Sequence, residues 1–147
     1  MRARCRQRGI ALAEFAIVSG LLFLNLFGII EFSVILSDQA VITNASREGA
    51  RIGIIQGRDD AEIENKVRTY VDRDLGGTRL FSLGGGGGPD AVDIQIARVG
   101  VCPTVPPLPQ VRVTVTYPYR FMVLPGFMAG LANPFNLQAV TVMCAEP

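Results

Sequence analysis

"RQRGIALAEFAIVSGLLFLNLFGIIEFSVILSDQAVITNASREGARIG", Arg6 to Gly53, decides how this chain is built. It contains no proline, and its apolar part from Ile10 to Leu36 corresponds to ~40 Å of helix at about 1.5 Å per residue, enough to cross a hydrocarbon core of about 30 Å. A secretory signal would have a shorter apolar core followed by a small-residue cleavage site, and the nearest loose candidate here, Thr43-Asn44-Ala45, lies well past the run. Cys5 precedes the run, so it is misplaced for a lipoprotein signal. Arg2, Arg4, Arg6 and Arg8 all come before the run, as expected for the cytoplasmic flank of a membrane segment.

The remainder of the 147 residues allows one modest domain. With the leader arginines set aside, it is mildly acidic and offers no footprint for nucleic acid. There is no histidine, which removes the usual general base, metal ligand and nucleophile partner. Asp59, Asp60, Asp72, Asp74, Asp90 and Asp93 read as solvated helix and turn acids. The expectation is a chain that is not an enzyme and has no cofactor or metal.

Two carboxylates interrupt the greasy run. Placed mid-membrane, each would cost about 2.5 to 3.5 kcal/mol. Glu14 lies about one turn into the helix, where the positive end of the helix dipole favours an anion. Glu31 reads as a group near the opposite interface. The uncharged stretch between them, Phe15 to Ile30, is slightly short for a full span.

Three motifs occur in order: "RGIALAEFAIV", "LFGIIEFS" and "TNASREGAR". Together they resemble the TadE-like family of tight adherence (Flp, type IVc) pilus systems over roughly Arg8 to Gly53. The basic leader, Gly9 and a glutamate at the fifth following position resemble a prepilin peptidase site of the type IV pilin superfamily. The resemblance implies cleavage between Gly9 and Ile10, after which Glu14 could pair with the new α-ammonium group of a neighbouring subunit. Glu31 belongs to the family's pattern and is a candidate assembly contact, with Arg47, Glu48 and Arg51. Gly20 stands where relatives often carry a helix-kinking proline, and Asn25 is a polar side chain needing a helix partner.

The helix is expected to continue to about Ile52, with Ala45, Gly49 and Gly53 forming a stripe that lets another backbone approach closely. Arg47, Glu48 and Arg51 lie beside the stripe. They read either as a solvated face with a weak Glu48/Arg51 pair or as contacts with partner subunits or the assembly platform. Asp59 and Asp60 start a second, amphipathic helix carrying Ile63, Val67, Val71 and Leu75, which Gly76-Gly77 stops. Gly84 to Gly88 lack the Lys-Ser/Thr of a phosphate loop and read as a linker.

Alternation at Val92, Ile94 and Ile96, then from Val111 to Tyr119, predicts two strands, and Leu137 to Met143 a third. The proline-dense "CPTVPPLP" is expected outside both ladders. Leu124 to Phe135 reads as an apolar loop or short helix capping the sheet, or, through Phe127 and Met128, as an exposed contact patch. Cys102 and Cys144 end the first and last strands and are expected to form a disulfide, with two free thiols as the alternative; two cysteines without histidine do not make a zinc site.

The fold class expected is α+β: a basic leader (1–9), a transmembrane spine helix (10–53) and a pilin-like head (54–147) with a small antiparallel sheet. The function implied by the resemblance is that of a minor pilin or pseudopilin, with the prepilin peptidase, other pilin subunits and the inner-membrane platform as partners. The N-terminus would be cytoplasmic, and the head periplasmic or, in a pilus, at the cell surface. The alternative is an uncleaved single-pass periplasmic scaffold or binding module.

Overall fold

The computed structural model describes residues 3–55, 58–75, 92–98, 100–102, 108–119, 121 and 135–144, side chains of 3–10, 74 and 75 excepted. The pentaglycine stretch, the Gly76-Gly77 stop and most of the Leu124 to Phe135 segment lie outside these residues.

Helix α1 runs from Ala3 to Gly53 over 51 residues. The first proline of the chain is Pro89, so nothing in this stretch removes a backbone donor. The helix starts within the leader rather than at Ile10, and it passes through Gly20 unbroken. Helix α2, Asp60 to Leu75, follows Asp59, whose backbone oxygen accepts from the Ile63 amide at 3.3 Å and whose Oδ1 accepts from the Asp60 amide at 2.7 Å. That capping answers the unpaired donors of a helix start. Ile63, Val67 and Val71 are fully buried along one side of α2.

Four antiparallel strands form the sheet: β1 (Asp93–Ala97), β2 (Val101–Cys102), β3 (Leu108–Tyr119) and β4 (Phe135–Cys144). The long β3 pairs with β4 from Gln110↔Cys144 to Tyr119↔Phe135. Along its other edge lie β1, from Asp93↔Thr116 to Ala97↔Arg112, and then β2, through Val101↔Pro109. Between those two pairings three residues of the first strand face two of β3, the signature of a bulge. Gly100 sits there with φ 94°, a conformation that favours glycine, and a Cβ on it would meet Gln110 Oε1 at 2.8 Å. The expected first strand is therefore two strands, with Cys102 on the second.

The proline-dense connector also contributes to the ladder, against expectation, since Leu108 and Pro109 open β3. Proline is tolerated at a strand's first residues, where its missing amide is not needed. Pro118 likewise lies beyond the last β1 pairing, at Thr116.

The core lies between the helices and one sheet face. Val111, Val113, Val115, Tyr117 and Tyr119 of β3 and Leu137 and Ala139 of β4 pack with Ile42, Ala45 and Ala50 of α1 and the apolar side of α2. The small-residue stripe makes this approach possible. A Cβ on Gly49 would meet Val67 Cγ2 at 2.5 Å, and one on Gly53 would meet Val111 Cγ1 at 2.8 Å. At Gly20 and Gly28, by contrast, a Cβ would meet nothing within 4 Å.

Candidate functional site: the spine and its junction with the head

Helix α1 changes character along its length. From Leu12 to Ile29 its large apolar side chains are exposed, with Phe15 at 70% and Ile17 at 75%. This is the one stretch among the described residues long and apolar enough to cross a membrane, and it fits a single-pass anchor. The backbone is helical through Gly9 and Ile10, and Glu14 projects from the exposed part of the spine. Asn25 is exposed too.

From Glu31 onward one side of the helix turns inward. Residues 31, 34, 35, 38, 41, 42, 45, 46, 49 and 50 recur at three- and four-residue spacing, placing them on one face. Glu31 is 2% exposed, so it does not serve as a solvated interfacial carboxylate. The Tyr119 hydroxyl donates to Glu31 Oε1 at 2.5 Å, and Tyr119 is completely buried with Phe121 edge-on at 5.8 Å. Burying a carboxylate without partners is costly, and a charge-assisted hydrogen bond offsets part of that. Burial, then the hydrogen bond to Glu31, hold the Tyr119 phenol far above its ordinary range, with the charge of Asp38 adding to the effect.

Asp38, one heptad after Glu31, is also buried. Further along, Gln39 Nε2 donates to the backbone oxygen of Gln138 at 3.0 Å, and the Ser46 and Thr141 hydroxyls share a hydrogen bond of 2.7 Å. These polar contacts fix the register of spine against sheet. The sequence reading missed Tyr119, Asp38, Gln39 and Ser46. The signal available was the spacing itself, which puts Glu31 and Asp38 on the face of Ala45.

Arg47, Glu48 and Arg51 line an open depression with Asn44, Ile54, Tyr70 and Met143. The expected Glu48/Arg51 pair does not form among the described residues; the ion pairs described are Arg58–Glu62, Arg68–Glu64 and Arg98–Asp60. Glu31 is separated from this group and points into its own subunit's head. Cys102 and Cys144 come together at the far end of the sheet in disulfide geometry, with Cα atoms 6.0 Å apart. No group of metal-ligating side chains occurs among the described residues.

An exposed apolar spine thus leads without a break into a helix face built to seat a small α+β head. Residues 9–51 match the TadE-like protein family. The match begins at Gly9 and ends within the stripe that docks on the sheet, so the TadE-like segment is the spine and its head-binding face. It suggests a pilin-like protein associated with tight adherence pili. Comparison with curated proteins and with solved structures finds no significant match.

Proposed function

We propose that the chain is a minor pilin or pseudopilin of a tight adherence pilus and secretion system, acting by assembly rather than catalysis. The observation carrying this reading is the TadE-like match starting at Gly9, inside α1 and just ahead of the exposed apolar stretch that carries Glu14 near its start. In this reading a prepilin peptidase cuts between Gly9 and Ile10. The arginine-rich leader stays cytoplasmic and the head faces the periplasm.

Cleavage creates an α-ammonium group at Ile10 in a low-dielectric setting, where a neighbour's Glu14 carboxylate can pair with it. Such a pair sets axial register between spines more than it adds stability. Arg47, Glu48 and Arg51, on an open surface, are candidates for contacts with other subunits or the membrane platform. The test is intact-mass and N-terminal analysis of the native protein. A chain beginning at Ile10 is expected; a chain that keeps Met1 while the peptidase is active overturns the proposal in favour of an uncleaved scaffold.

A further inference from the structure

The lipid-facing length of α1 and the start of the head overlap. Phe15 to Ile30 gives ~24 Å of helix, short of a hydrocarbon core of about 30 Å. Extending the uncharged outer face to Leu36 gives ~33 Å, a full span. Phe32 and Leu36 do remain 62% and 54% exposed, on the side of the helix away from the head. Yet over the same turns the inner side is already occupied, with Glu31 bonded to Tyr119 and Val34 and Ile35 packed against the core. A bilayer that covers Phe32 and Leu36 therefore meets the head on the opposite side of the same helix.

The part of the head at that level is defined by the register. Strand β3 runs back along α1, with Val111 beside Gly53 and Tyr119 beside Glu31, so its far end is the membrane end. Tyr119 pairs there with Phe135, which is 45% exposed, and Phe121 lies just beyond. The carboxylate at this level is the one already capped by a phenol. The sequence carries no charged residue between Arg120 and Glu146.

We infer that the β3–β4 end of the head, through Phe121 and Phe135, rests in the headgroup boundary of the bilayer beside the spine while the subunit is membrane-held. Aromatic residues favour that layer. The contact gives the head a fixed orientation on the membrane and sets the buried Glu31–Tyr119 bond at the level of the lipid headgroups. This inference rests on the single-span reading of α1.

The chain has no tryptophan, so single substitutions act as clean depth probes. The full chain is reconstituted at high dilution in phosphatidylcholine–phosphatidylglycerol vesicles carrying bromines near the headgroup or deep in the acyl chains. Phe135→Trp and Phe121→Trp are expected to emit at blue-shifted wavelengths and to be quenched by the shallow bromines. Phe23→Trp, within the span, should be quenched by the deep set, and Val101→Trp, at the opposite end of the head, by neither. If both junction probes behave like Val101→Trp, the inference is overturned; blue-shifted but unquenched emission from them means protein covers the surface and overturns it as well. If Phe23→Trp is also unquenched, the span itself is wrong and the inference falls with it.

Discussion

Replacing Gly49 with alanine tests how the spine holds the head. Two opposing effects can be sized. Alanine is favoured over glycine inside a helix by about 0.8 to 1 kcal/mol. Against that, the new Cβ would lie 2.5 Å from Val67 Cγ2, where carbon atoms prefer about 3.5 to 4.0 Å. Val67 is fully buried and β-branched, so it cannot swing aside. Val113 Cγ1 at 3.4 Å and Ile63 Cγ2 at 3.5 Å close the remaining directions. Overpacking of this kind costs about 1 to 3 kcal/mol. The clash therefore wins, with net destabilisation of about 1 kcal/mol and a fall in melting temperature of about 4 to 8 °C for a domain of this size. Thermal unfolding of the full chain in micelles, followed by near-ultraviolet circular dichroism, measures it. Val67→Ala added to Gly49→Ala should recover part of the loss relative to Val67→Ala alone, because the contacts are shared. Gly20→Ala, which meets nothing, should leave head melting unchanged. A Gly49→Ala protein that melts at or above the parent temperature, in the same micelles, refutes the proposed close packing.

Tyr119 makes the head sensitive to alkali. Its folded phenol is held above the unfolded value of about 10, so its stabilising contribution is present below that pH and is lost as pH rises above it, at up to about 1.4 kcal/mol per pH unit. Tyr119→Phe should lower stability at neutral pH by about 1.5 to 3 kcal/mol, the worth of a hydrogen bond to a charged group, and flatten the alkaline fall in denaturant titrations. Cys102→Ser opens a link across 42 residues; the chain-entropy estimate is a loss of about 4 kcal/mol, read as a lower denaturation midpoint under oxidising conditions, with Cys144→Ser matching it. Glu14→Ala should leave carbonate-resistant membrane association intact and reduce filament yield; unchanged yield sinks the pairing with the new N-terminus.

Much of this architecture was legible because it follows from periodicity. The absence of proline before Pro89 and the stripe Ala45, Gly49, Gly53 announced a long helix and a close neighbour, and two-residue alternation announced β3 and β4. The alternation could not reveal the bulge at Gly100, because a single inserted residue shifts register without changing composition. Nor could it place Pro109 in a strand, since tolerance there depends on which edge is paired. Glu31 was misplaced for a different reason. Its neighbours Ile29 and Phe32 are exposed and apolar, while a partner that it meets in the head, Tyr119, is 88 residues away. Local reasoning prices a carboxylate in a greasy helix by its depth, and here the price is set by a tertiary contact. Arg47, Glu48 and Arg51 carry no comparable long-range bond among the described residues, so no such contact assigns them a use within the chain.

The division of labour along α1 follows from these contacts. Among the described residues, none before Glu31 belongs to the head's core, whose α1 members begin with the packed Val34 and Ile35 and continue to Ala50 and Ile52. Among the described residues, none covers the large apolar side chains exposed from Leu12 to Leu36, which leaves them free for the lipid or neighbouring spines of the proposed function. Under the proposed assembly, a head seated at Glu31 would not have to unfold or re-pack on transfer of the spine from lipid to a helical bundle. What would change is the surround of Phe32, Leu36 and the aromatic end of β3. A TadE-like match confined to 9–51 is consistent with that arrangement: it covers both the exposed apolar surface and the helix face that seats the head.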